Sequence, residues 1–318
     1  MPANNLTQPD KARMVRNMIV GNGCILLATI FFGVNIPIVK ELVPRWMSAD
    51  AVTAVRLIGG CVLMWLASLF IRTERIENGD WLRLVLGGAV GLFSFMYLFN
   101  MSLRYADPID VSIIMTLPPV FVVLYHIIFQ RARPTLLEYA GIVASFGGAV
   151  LVILVEHSGS GTHNLLGEML ALASTICYAF YLVVMEGPSR KYRPLSTLRW
   201  VFLFAALPAL LLVPQLIHSN LIAGHSGTMP WIGIAFILLC PTFLSYFLIA
   251  PADKLIGSEL VSIYQYLVPV VAAVASVIMG ITHIIPIQLV AMGVIIAGMV
   301  LTNLGKARRR AAGTNGRQ

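Results

Sequence analysis

The chain has 318 residues, 58% of them apolar and 11% charged, with a mean hydropathy of +0.85. A soluble domain carries about 25% charged residues, and a single apolar core stops growing near ~250–300 residues, so part of this surface has to face hydrocarbon. The net charge of +8 would suit an acidic partner, but the basic residues lie in short clusters between apolar runs, the pattern by which membrane proteins fix their orientation. No nucleic-acid partner is expected.

Lys11, Arg13 and Arg16 precede the first apolar run, as in a secretion signal. That run is long enough to cross a bilayer and many more follow, so it reads as a retained span. In chain order, ten stretches reach the ~20 apolar residues that a crossing needs: 17–39, 49–71, 82–103, 108–129, 135–155, 165–186, 196–218, 230–252, 258–280 and 285–304. Lipid offers no partner to free backbone groups, so each must be a helix. The expected organisation is a cytoplasmic tail (1–16), two helical units (17–155 and 165–304) and a basic tail (305–318). A cytoplasmic N-terminus puts Arg72 and Arg75, Arg131 and Arg133, Arg190, Lys191 and Arg193, and the basic tail on one side. Only Lys40, Arg45 and Arg104 fall on the other. The positive-inside pattern therefore predicts a multi-pass protein of the cell (inner) membrane with both termini cytoplasmic.

The sequence also repeats. Shifted by 150 residues, 104–151 falls on 254–301: Arg104 meets Lys254, Val111-Ser112-Ile113 meets Val261-Ser262-Ile263, Pro119 meets Pro269 and Gly148 meets Gly298. The first spans align less cleanly, with Phe32-Gly33 on Tyr178-Ala179. Five spans per copy is an odd number, so the copies insert with opposite topology, an arrangement typical of secondary transporters with a site near the bilayer midplane. The predicted class is all-α: ten transmembrane helices as two inverted five-helix repeats around a central cavity.

Several motifs in this order carry a resemblance: Phe32-Gly33-Val34-Asn35 in the first span, Arg56 in the second, Leu103 to Asp107 leading into Leu117-Pro118-Pro119-Val120, and Gly141 to Gly148 with its echo in the tenth span. The chain resembles the EamA-type, ten-span branch of the drug/metabolite transporter superfamily. That branch often has Trp at the position of Phe32. The resemblance implies a ten-helix basket lined by helices 1, 3, 4, 6, 8 and 9, and a small-molecule substrate. Bacterial members of this type are mostly exporters.

Polar groups at membrane depth are expensive and mark sites by default. Arg56 lies about seven residues into its span, where a charge costs ~2.5–3.5 kcal/mol unless it finds a partner or snorkels outward. Ser174, Tyr178, Tyr181 and Met185 share one face of the sixth span. Tyr264 and Gln265 precede Pro269, Thr242 and Tyr246 share a stripe in the eighth span, and Tyr97 and Asn100 share one in the third with Arg104. With Asn35 and Arg56, these are the expected substrate-binding residues, the alternative being glue between helices. Arg104, Asp107 and Asp110 at one junction and Asp253, Lys254 and Glu259 at the repeat-related junction are expected to form ion pairs that gate the two mouths. No carboxylate lies at mid-depth, so a central proton carrier is not expected. Cys24, Cys61, Cys177 and Cys240 lack the paired spacing of a metal site, and no phosphate-cradling motif appears. No metal, cofactor or enzymatic activity is expected.

The reading is a secondary transporter of an amino acid or similar metabolite, an exporter, acting as a monomer or homodimer. A membrane enzyme acting on a lipid-linked substrate, an uptake permease and an efflux carrier for toxic compounds are the alternatives.

Overall fold

The computed structural model describes residues 8–130, 135–156, 165–222, 227–256, 261 and 264–315. Their regular structure is helical. Ten helical segments occupy the apolar stretches: α1 (Gln8–Leu42), α2 (Ala49–Phe70), α3 (Asn78–Tyr105), α4 (Pro108–Phe129), α5 (Leu136–Glu156), α6 (Leu165–Lys191), α7 (Pro194–Ile217), α8 (Thr228–Ile256), α9 (Val268–Ile278) and α10 (Pro286–Asn315). Among the described residues, eight are long and apolar enough to cross a membrane, and α5 and α9 add the two shorter apolar helices. Large side chains such as Leu69, Phe70, Val143, Leu211 and Ile278 stand exposed on the outside, where a soluble protein would place charge.

Short polar residues start the helices where the sequence offers them. Ser48 Oγ accepts from the Ala51 N–H at 3.1 Å, and Asp107 Oδ1 accepts from the Ile109 N–H at 2.8 Å. Thr135 and Glu138 form a reciprocal capping box before α5, with bonds of 2.8 and 3.3 Å. In the second copy Gln288 stands where the first has Glu138, and its Oε1 accepts from the Ile285 N–H at 3.1 Å ahead of α10.

The interfaces follow the repeat. The third helix of each half packs on the first helix of the other, α3 on α6 and α8 on α1, while α2 faces its counterpart α7 and α5 its counterpart α10. Five spans per half is odd, so this exchange joins two halves of opposite insertion. Glycine permits the closest approaches. A Cβ on Gly33 would lie 2.5 Å from Val271 Cβ and 3.0 Å from the Val268 carbonyl, so the aromatic-glycine pair of α1 lets α9 dock on its backbone. A Cβ on Gly298 would lie 2.6 Å from the Ser145 backbone nitrogen and 2.7 Å from the Gly141 carbonyl, so α5 and α10 touch backbone to backbone.

The irregularities are also paired. α3 widens to π-helical turns over Leu86–Leu92, and α8 does so over Cys240–Leu244. Pro241 lacks the N–H that a regular turn would use, and such turns occur often at functional sites. α4 breaks at Thr116-Leu117 before Pro118-Pro119; α9 starts after the turn at Tyr266-Leu267, with Pro269 following. Tight bonds close both breaks, from the Leu117 N–H to the Ile114 carbonyl (3.1 Å) and from the Leu267 N–H to the Tyr264 carbonyl (3.0 Å). The sequence anticipates ten continuous spans; the ninth, expected over 258–280, is instead interrupted at Tyr266-Leu267, because Pro269 has no N–H to donate to the preceding turn and its ring crowds the carbonyl four residues back. α6 and α8 run past the expected ends at 186 and 252, since a helix can continue into water once its backbone is paired.

Gly298→Ala is expected to lower the unfolding midpoint in detergent by several degrees, as overpacking costs about 1–3 kcal/mol. Gly293→Ala, on the same helix with nothing within 4 Å of the added carbon, is expected to leave it unchanged or raise it slightly. Equal midpoints for the two variants in a fluorescence melt would contradict the backbone contact.

Candidate functional site

The two helix breaks and the π turn of α8 converge on one central cavity, while the π turn of α3 packs on α6 and α7. It offers about 150 Å³ to the centre of a water-sized sphere and is lined by α1, α2, α3, α4, α6, α8 and the start of α9. Thr116 and Tyr266, the repeat-related residues at the two helix breaks, both face it. The aromatic wall is a ladder: Tyr181 stacks on Tyr178 (centroids 5.8 Å apart), Tyr178 meets Phe95 (4.6 Å), and Phe95 meets Phe99 (6.2 Å).

Arg56 stands at the end of that ladder. It is 4% exposed, so it does not snorkel to an interface. Its Nε donates to Thr242 Oγ1 at 3.2 Å, and its guanidinium carbon lies 5.9 Å from the Phe99 ring centroid. The π turn of α8 makes the first contact possible. Thr242 Oγ1 donates its own proton to the Ile237 carbonyl, five residues back, at 2.7 Å, which leaves a lone pair for Arg56. A bond to a charged group contributes about 1.5–3 kcal/mol and the ring about 0.5–2 kcal/mol. Together these match the ~2.5–3.5 kcal/mol cost of a central charge, without a carboxylate partner. Arg56 Nη1 is buried with no hydrogen-bond partner, and so is Oδ1 of Asn35 across the cavity wall. An unused cationic donor and an unused neutral acceptor thus share one enclosure.

Of the residues singled out in the sequence, Asn35, Arg56, Tyr178, Tyr246 and Gln265 line the cavity. Thr242 lies one layer behind and holds Arg56. Three of the others join helices. Asn100 Nδ2 donates to Thr53 Oγ1 at 2.9 Å, Ser174 Oγ to the Phe95 carbonyl at 3.1 Å, and Tyr264 Oη to Asn22 Oδ1 at 2.9 Å. Tyr97 stacks on Phe93 at 5.9 Å, and Tyr181 is buried behind Tyr178. Spacing on a helix face cannot tell a cavity from a neighbouring helix, so in sequence these five and Thr242 look the same as the liners. Tyr266, beside Gln265 ahead of Pro269, lines the cavity as well, and Phe95, Phe99 and Met115 line it without having been singled out. Phe95 and Phe99 stand four residues apart, the only signal they gave.

The expected outer cluster divides among separate tasks. Asp107 caps α4, and Asp110 is fully buried, with Oδ1 accepting from Gln288 Nε2 at 2.9 Å. Arg104 is exposed over the Tyr105 ring, while Lys40 Nζ donates to the Ala106 carbonyl at 2.9 Å. This end of the cavity is closed by packed apolar residues, among them Ile36, Val39, Val52, Leu103 and Ile114. At the other junction the Asp253 side chain and Glu259 lie outside the described residues, and Lys254 is exposed.

Residues 19–154 and 165–304 each match the model of the EamA-like transporter family. The Uncharacterized transporter YyaM of Bacillus subtilis (strain 168) is 26% identical over 287 residues, 86% of this chain and 92% of that protein. The Probable terminal-alkyne amino-acid exporter of Streptantibioticus cattleyicolor is 25% identical over 266 residues, 83% of this chain and 87% of that protein. The Uncharacterized inner membrane transporter YedA of Escherichia coli (strain K12) is 22% identical over 289 residues, 89% and 90% of the two chains. One crystal structure of a protein shares the fold at a TM-score of 0.59 and 18% identity, covering 91% of this chain and 98% of its own.

Thr242→Val removes the one acceptor that holds Arg56 Nε and is expected to destabilise the protein by about 1–3 kcal/mol, read as a lower melting midpoint in detergent. Thr242→Ser is expected to stay close to the parent. A Val variant as stable as the Ser variant would show that the bond carries no weight.

Proposed function

Because the chain belongs to the EamA-like transporter family, we propose that it is a secondary transporter that exports a small organic solute bearing a carboxylate, an amino acid or a close analogue, by alternating access. A multi-pass membrane transporter is the plain consequence of the family; the substrate, the direction and the cycle are the proposal. The observation that carries it is Arg56 Nη1, a buried cationic donor without a partner on the wall of a cavity rich in aromatic rings. A carboxylate there adds a charge-assisted bond, worth about 1.5–3 kcal/mol. Asn35 Oδ1 and Gln265 suit the ammonium group, and the ladder from Phe99 to Tyr178 suits an apolar side chain.

Export is supported by the relative named as an amino-acid exporter. A cell-membrane setting is supported by the relative named as an inner membrane transporter, and cytoplasmic termini by the positive-inside pattern. Residues 17–155 and 165–304 are the units that rock against one another, between the tails 1–16 and 305–318. In the present state the mouth near Asp110 is shut, with Gln288 of the second unit bonded to Asp110 of the first. Opening that mouth means breaking this bond. Arg104, Asp107, Asp253, Lys254 and Glu259 flank the two mouths and are assigned to the gating that accompanies it.

The test is counterflow of tritiated L-leucine, L-methionine and L-phenylalanine in proteoliposomes. 4-Methylpentanoate, leucine without its amine, is expected to compete better than isoamylamine, leucine without its carboxylate. Arg56→Gln is expected to weaken affinity about 10- to 100-fold. Competition by the amine alone, or an Arg56→Gln variant with parental affinity, would remove the carboxylate reading.

A further inference from the structure

A second cavity, of about 270 Å³, lies beside the first. Its walls come from the end of α2, the start of α7 and the last turns of α8. Tyr246 belongs to both linings, so one side chain stands between the two spaces. Tyr246 is held edge-on by Phe202, at a centroid distance of 5.8 Å, and has no hydrogen bond from its hydroxyl among those of the described residues.

The second lining is cationic. Arg72, Arg193 and Lys254 face it, and among the described residues no acid does. Glu74 neutralises Arg193, with Oε1 at 3.4 Å from its Nε and Oε2 accepting from its backbone N–H at 2.7 Å. Among the described residues, the other acids of this region are engaged elsewhere: Glu77 and Asp80 with Lys191, and Glu186 with Arg190. Among the described residues, no carboxylate lies within ion-pair distance of Arg72 or Lys254. Between the cations the wall is apolar, with Leu195, Leu198 and Phe247.

We infer that this second cavity is a waiting site for the transported organic anion: Arg72 and Lys254 hold its carboxylate, Leu198 and Phe247 its apolar body, and Tyr246 is the partition it passes to reach Arg56. The inference rests on the carboxylate reading of the central cavity and extends it to a second site. Two exposed cations on flexible stems hold an anion weakly and in a salt-sensitive way. A waiting site needs such a hold, since tight binding there would stall release. What the cations contribute is a higher local concentration of anion at one mouth, which acts on the rate of capture more than on final affinity.

The experiment uses tritiated L-leucine and the variant Arg72→Gln, whose replaced side chain is exposed and is not one of the gating residues, with Arg72→Lys as the charge-conserving control. Equilibrium binding to protein in zwitterionic detergent reports on the central site, and initial rates in phosphatidylcholine proteoliposomes report on capture. The Gln variant is expected to bind leucine within about twofold of the parent, yet to show a KM from the side of the second cavity raised severalfold at low salt, with the gap closing at high salt. The charge-conserving variant is expected to restore the parental KM. An unchanged KM in the Gln variant overturns the inference. So does a defect confined to vesicles containing phosphatidylglycerol, which would assign the cations to lipid headgroups. Leucine binding that survives Arg56→Gln instead overturns the reading of the central cavity, and the inference falls with it; the two failures appear in different measurements.

Discussion

The bond from Arg56 to Thr242 is the interaction around which the cavity is organised. It joins α2 of the first half to α8 of the second, and it keeps a guanidinium inside the protein rather than at an interface. Its acceptor exists because α8 is not a regular helix at that point. Pro241 withholds an N–H, the turn widens, and the Thr242 hydroxyl reaches a carbonyl five residues back while still facing Arg56. A regular α-helical turn would direct the hydroxyl to the carbonyl one residue nearer. A sequence irregularity thus becomes a backbone irregularity, and the backbone irregularity positions a charge.

The same logic repeats at the helix breaks. Hydrocarbon tolerates non-helical backbone only where it is buried in protein or lines a cavity. The turns at Thr116-Leu117 and Tyr266-Leu267 meet that condition from opposite halves, each closed by its own tight hydrogen bond. The inverted repeat brings the two breaks to one place, so each half supplies a wall of the cavity. The side chains at the breaks differ, Thr116 in one copy and Tyr266 in the other, and so the two walls differ in chemistry.

Much of this was readable in the residues. The ten apolar runs, the offset of 150 and the register of Pro119 with Pro269 carry the class and the two halves, while the breaks ahead of those prolines are interruptions of spans expected to be continuous. Arg56 was legible because a charge inside an apolar run has few explanations. Asn35, Tyr178, Tyr246 and Gln265 also reached the cavity, but Asn100, Ser174 and Tyr264 went to neighbouring helices, and nothing in a helical period separates those outcomes. Phe95, Phe99 and Met115 were invisible because an apolar residue facing a cavity looks, in sequence, like one facing lipid. The burial of Asp110 against Gln288 was hidden for another reason: the partners lie in different halves, and only folding brings them within reach.

The seam between α5 and α10 has a mechanical meaning. At Gly298 the two helices meet main chain to main chain, and the side chains of Ser145, Ile295 and Thr302 sit in the notches that the glycines leave. A seam keyed in this way holds one register, because sliding would drive each of those side chains into the opposite backbone. The smallest residues of the molecule thereby fasten the fifth helix of each half to its counterpart, as a strut set away from the solute.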